Sequence, residues 1–279
     1  MQAAVLVAVA VAEAFATIDT WAERYLLSAD LAHKQAPPPL PERFATTQVP
    51  VRIAAPGRPP ELVPAKRGDR LPRPKALRER KHRAKVLHAF WHHELQAAEL
   101  MCWAALAFRD TPEEFRRGLM RICLDEIRHM RLYSEHLATL GFSIGDFPVR
   151  DWFWSRVPQC RDPIAFVAVM GMGLEAANLE HATAFAAHFR AAGDEVAACM
   201  QEQIGADEVA HVRFATRWFE TWTGGCDFDA WLRALPPPWS PMVLRGDPLA
   251  IDARARAGMS AAFLQKLSAY VPEAKGRGS

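Results

Sequence analysis

Two short stretches of this 279-residue chain set carboxylates and an imidazole at the spacing a metal ion requires. They are Asp125-Glu126-Ile127-Arg128-His129 in "LDEIRHMRLY" and Asp207-Glu208-Val209-Ala210-His211 in "ADEVAHVRF". Residues i and i+3 share one face of a helix, so Glu126 and His129 point the same way, and so do Glu208 and His211. Both stretches lie inside apolar segments, where a buried charge needs a partner. Glu94 in "WHHELQ" and Glu175 in "MGLEAANLE" add two more carboxylates in apolar surroundings. Four carboxylates balance two divalent cations, and two of them can bridge the ions. Oxygen-rich ligation with one imidazole per metal suits iron or manganese better than zinc or copper. The chemistry this set points to is that of two metal ions in a dry pocket.

The elements that must position these residues are marked by helix punctuation. One helix is expected from about Leu77 to Phe108. In "DTPEEF", Thr111 reads as an N-cap, Pro112 as the first helical residue and Glu114 as the N3 acid of a capping box, so a second helix spans about 112–140. After a 21-residue connection, Asp162 and Pro163 start a third helix that runs to about Ala191. A fourth runs from about Glu195 to Thr223 and stops at Gly224-Gly225. The predicted fold class is all-α, a ferritin-like four-helix bundle of two antiparallel hairpins with a long crossover. Its height can be checked by counting. Glu94 lies 16 residues before Asp110 and Glu126 lies 16 after it; Glu175 lies 18 before Gly193 and Glu208 lies 15 after it. At about 1.5 Å per residue all four carboxylates reach one level of the bundle. Glu99 and Glu180 are the rival carboxylates on the first and third helices.

Length and composition bound the rest. Half of the residues are hydrophobic and the formal net charge is only +2, so composition names no partner. Five cysteines without a C-x-x-C pair argue against a disulfide framework and for a reducing cytoplasm. "AAVLVAVAVAEAFA" lacks a basic flank and is too short to span a bilayer, so residues 3–28 read as a packed helix, and no membrane span is expected. Residues 36–75 hold many of the 21 prolines and read as an extended arm. The expected division is 1–76 for helix and arm, 77–225 for the bundle and 226–279 for a tail with a short helix. The basic stretch 66–85, with ten Lys/Arg against two acids, reads either as the solvated start of a helix or as a nucleic-acid contact.

The stretches "LHAFWHHELQAAEL", "DEIRHMRLYSEHLATLGFSIGDFP", "LEAANLEHA" and "IGADEVAHVRFATRWFETW" resemble the ferritin-like superfamily of di-iron carboxylate proteins. Within it the chain is most similar to a bacterial ferritin-like family of unknown function. More distantly it resembles demethoxyubiquinone hydroxylase and the tRNA hydroxylase of that superfamily. The resemblance implies Glu94, Glu126, His129, Glu175, Glu208 and His211 as metal ligands, and together with the height count it favours Glu94 over Glu99 and Glu175 over Glu180. It implies two metal ions, iron foremost, with Mn/Fe or Mn as variants. It further implies an O2-dependent hydroxylase or oxidase that takes dioxygen and a small-molecule substrate, as a monomer or homodimer. The competing readings are a ferroxidase that handles iron and a tRNA-modifying hydroxylase.

Several neighbours complete the expectations. A metal-bound imidazole gives its other N–H to a carboxylate or carbonyl; Asp207 is expected to orient His129 and Asp125 to orient His211. His181 is a further candidate in the outer layer around the ligands. Tyr133, one turn beyond His129, is either a redox residue, since its spacing resembles that of the radical tyrosine of ribonucleotide reductase small subunits, or a packed core tyrosine. Gly171 and Met172 leave room beside Glu175 for dioxygen or substrate, or for close helix packing.

Overall fold

Acidic caps at Asp162 and Asp194 and left-handed glycines at Gly193 and Gly224 mark helix ends in the C-terminal part of the chain. The computed structural model describes residues 17–66 and 70–272, and the chain divides into two units, Met1–Pro158 and Gln159–Ser279.

In the first unit, α1 (Ile18–Leu27) starts at Thr17, whose hydroxyl accepts from the Thr20 amide in a reciprocal cap. The short α2 (Leu31–Gln35) follows Asp30, whose side chain caps the Ala32 amide. Residues 36–66 and 70–73 are irregular apart from isolated turns and a parallel bridge between Pro64 and Val149, as a proline-rich segment lacking donors must be. The part of the packed N-terminal helix expected before residue 17 lies outside the described residues. A 3₁₀ turn at Pro74–Arg78 precedes α3 (Arg80–Ala107), and α4 (Glu113–Thr139) follows after a tight turn. The pair α3 and α4 forms a hairpin. Every residue from Glu94 to Ala107 is buried, so this half of α3 is a core helix rather than an amphipathic one.

The capping box expected at Thr111 is not formed. The Thr111 hydroxyl turns back to donate to the Phe108 carbonyl at 2.6 Å, and Pro112 takes the N-cap place with no side-chain bond. The hydroxyl thus closes the end of α3 instead of opening α4, a local competition that Ser and Thr side chains commonly enter.

The second unit opens with α5 (Pro163–Phe166), capped by Asp162 through the Ala165 amide as the sequence predicts. The helix then widens into a π-helical run, Val167–Glu175, before continuing as α6 (Ala176–Ala191). Gly193, at φ 80°, turns the chain into α7 (Glu195–Thr223), which ends at Gly224, φ 79°. Both glycines occupy the left-handed conformation that other residues avoid. Three short helices complete the unit: α8 (Phe228–Ala234), α9 (Ile251–Arg256) and α10 (Ala261–Ala269). Among the described residues there is no β-strand, and no helix is long and apolar enough to cross a membrane.

Candidate metal centre

Each unit carries one triad of two carboxylates and an imidazole on its helical hairpin. In the first unit α3 supplies Glu94 and α4 supplies Glu126 and His129; one donor atom of each lies within 4.8 Å of the others. In the second unit Glu175, the last residue of the π-helical run, joins Glu208 and His211 of α7 within the same distance. All six side chains are buried, with exposures between 0% and 5%. Within the triads, His129 Nδ1 lies 3.2 Å from Glu126 Oε2 and His211 Nδ1 lies 3.0 Å from Glu208 Oε2.

That separation tests the fit of a metal. Bonds of about 2.1 Å meeting at the right angles of octahedral coordination put neighbouring donors about 3 Å apart. The Glu–His pairs already stand at this edge length, with the imidazole presenting Nδ1. Taking carboxylates out of water costs several kcal/mol each unless cations compensate. The donor set and its spacing therefore fit a hard or borderline divalent cation in each triad.

The rival carboxylates are committed elsewhere. Glu99 accepts from Lys34 Nζ at 2.8 Å, from Arg58 through both its oxygens and from Trp154 Nε1 at 2.9 Å. Lys34 and Glu99 are both fully buried. Glu180 accepts from Arg254 Nε and Nη2 at 2.8 Å each and from the amides of Gly246 and Ala250. Neither carboxylate has an oxygen left for a metal, and it is Glu94 and Glu175 that stand in the triads.

One neighbour escaped the sequence reading. Asn178 donates its amide to Glu208 Oε1 at 3.0 Å, fixing the oxygen that His211 does not face. Its signal was the spacing: Asn178 follows Glu175 by three residues, as each histidine follows its glutamate. His181, expected near the centre, is exposed on α6. Asp125 makes a half-buried 3.1 Å pair with Arg128, and Asp207 is half-buried next to Glu208. Tyr133 is buried with its ring 6.0 Å from that of Phe90.

The small residues before Glu175 serve packing. A Cβ placed on Gly171 would come within 2.1 Å of Ala215 Cβ, and one on Gly173 within 2.8 Å of Leu244. Cys123, one turn before Glu126, lies 3.5 Å from Cys102 in the core, where burial pushes its thiol up. It packs as a small hydrophobe.

The profile of a family described as "Protein of unknown function (DUF455)" matches residues 10–265. An uncharacterized protein of Haemophilus influenzae is 31% identical over 144 residues, which cover 49% of this chain and 50% of that protein. The chain thus aligns with about half the length of this relative. No solved structure matches the sequence.

Proposed function

Because the chain belongs to the DUF455 family, whose description names no activity, we propose its function from its residues: an oxidoreductase that uses two metal ions and dioxygen to oxidise a small organic substrate. In this reading the two hairpins form a ferritin-like four-helix bundle, and Glu94, Glu126, His129, Glu175, Glu208 and His211 hold the two ions. Iron is the foremost candidate, with Mn/Fe or Mn as variants. The single observation that carries the reading is the repetition of one buried acid–acid–imidazole triad, with matching Glu–His distances, on both hairpins.

Bound there, an iron pair would supply the electrons that reduce dioxygen. The chain's own residues do the rest. The four carboxylates neutralise the cations and keep the site's net charge near zero. The imidazoles present Nδ1, which leaves Nε2 to donate outward; Asp125 and Asp207 are the acceptors proposed for those N–H groups. Such partners set the tautomer and ring orientation of a metal-bound histidine. Asn178 holds one oxygen of Glu208 and so limits how that carboxylate can swing. Ile127 and Met130 beside the first triad and Val212 and Ala215 beside the second are buried and exclude water. Tyr133 is the candidate for one-electron exchange with the centre.

The test is elemental analysis of chain produced without chelators, followed by anaerobic Fe²⁺ titration and an oxygen pulse. About two ions per chain are expected, and Glu126→Ala or Glu208→Ala should lose at least one. Iron uptake continuing far beyond two would replace the oxidase reading with iron handling. A chain that stays metal-free after reconstitution with iron and with manganese sinks both. Tyr133→Phe that keeps its metal but loses oxygen-dependent turnover gives this tyrosine its redox role; unchanged turnover makes it a core residue.

A further inference from the structure

Beside the hairpin of the first unit lies a cavity of about 270 Å³ that the metal reading does not use. Three basic side chains from three separate segments line it: Arg70 near the end of the proline-rich arm, Lys85 on α3 and Arg150 in the loop after α4. The rest of the wall is largely apolar, including Ala65, Leu71, Ala89, Pro148 and the Trp152 ring, with His92 and His93 at one side.

The cavity is built rather than accidental. Arg150 sits on backbone that is tied down on both sides. Val149 donates to the Val63 carbonyl at 2.9 Å and receives the Ala65 amide at 2.8 Å. The Arg150 carbonyl accepts from Gln96 Nε2 at 3.1 Å, and the Gln96 oxygen in turn accepts the amides of Phe153 and Trp154. Gln96 is fully buried, so the loop is held from within the core. One Arg150 amino group reaches back to the Lys66 carbonyl at 3.1 Å and fixes the side chain's direction.

We propose that this cavity binds a small organic oxyanion, a carboxylate or phosphate carried on an apolar or aromatic body. Three cations around one concavity raise the local positive potential and attract an anion. Arginine's planar fork matches two oxygens of a carboxylate or phosphate, and lysine adds a point charge. The apolar wall and Trp152 take the organic part, in the usual manner of a small-molecule site with a few polar groups fixing orientation. The concavity also bears on the basic stretch 66–85. Arg70 and Lys85 come from opposite ends of it and converge on one cavity, where a polynucleotide would require an open basic track.

The probes are phenyl phosphate and benzoate, titrated calorimetrically into the full chain at low ionic strength, with inorganic phosphate and benzyl alcohol as partial probes. Saturable binding of at least one aryl anion, one per chain, is expected. Both partial probes should bind at least tenfold more weakly. Ala89→Leu, which fills the cavity without changing charge, should abolish binding, and Arg70→Gln at an exposed position should weaken it about tenfold. Which aryl anion binds tells a carboxylate from a phosphate. Metal-stripped chain should bind equally well, which separates this site from the metal reading. Absence of saturable aryl-anion binding, equal binding by benzyl alcohol, or binding unchanged in both variants overturns the proposal. So does tighter binding of single-stranded RNA that Ala89→Leu leaves intact.

Discussion

Glu94 and Glu99 stand about one and a half turns apart on α3, are the same residue type and are both buried, yet they have opposite work. Glu99 pairs with Lys34 and, together with Asp151, with Arg58. Burial pulls the Lys34 ammonium below its usual range, and the Glu99 carboxylate counters that pull. Removing one partner of such a buried pair leaves an uncompensated charge and costs about 3–5 kcal/mol. Glu99→Ala should therefore lower the unfolding free energy by about that much in a denaturant titration while leaving metal content per folded chain unchanged. Glu94→Ala should do the reverse. Counting along the helix separated the two glutamates only by height, because the cations that claim Glu99 lie 65 and 41 residues away in sequence. Such non-local partners leave no periodic trace.

His88 carries a second consequence at this scale. Its Nε2 accepts the Gly145 amide at 2.9 Å, and burial, with a smaller contribution from neighbouring His92, lowers its pKa to about 4, against a weak opposing pull from Asp146. Between pH 6.5 and 4 the unfolded chain binds a proton here that the folded chain refuses. The stabilisation is complete above about 6.5 and is lost as pH falls toward 4, in all about 3 kcal/mol. Acid unfolding of His88→Gln should show a flatter stability profile across that window than the parent chain.

At the scale of elements, the turns and caps that depend on near neighbours were readable. Asp162, Gly193 and Gly224 act where their types predict, and α7 spans the residues expected of the fourth helix. Thr111 was misread because two nearby backbone groups compete for one hydroxyl. The π-helical run at Val167–Glu175 was not readable at all: its apolar, glycine-containing sequence satisfies an ordinary helix equally well. There the Ala176 amide reaches back to the Gly171 carbonyl, and such wide turns recur at functional sites. Gly171 meets Ala215, which lies one turn beyond His211. Gly171→Ala should cost about 1–3 kcal/mol through overpacking. Ala215→Gly in the same chain should recover most of it, a non-additivity measured by a double-mutant cycle.

Over the whole molecule, each unit taken by itself follows one plan. A helical hairpin holds the triad, and a glutamate five residues after the hairpin's first acid ties irregular chain to it. Glu99 does this for the arm through Arg58, and Glu180 does it for the tail through Arg254. The all-helical class and the irregular arm were legible from proline content and hydrophobic period. The two glutamates' use as anchors was not, since it depends on which distant cation arrives. The family match over residues 10–265 takes in arm and tail as well as the hairpins.

These anchors also decide how the protein meets ionic strength. At 1 M salt the screening length is only about 3 Å, so exposed pairs such as Arg117–Glu113 and Lys266–Asp229 contribute little there. The Lys34–Glu99 and Arg254–Glu180 pairs are walled off from mobile ions, with exposures of 0–4%. Brine should then leave α2 and the tail fastened: limited proteolysis at 1 M sodium chloride should cut neither faster, relative to a salt-insensitive reference substrate, than at 0.1 M. The same chain should serve a dilute or a concentrated medium without loosening.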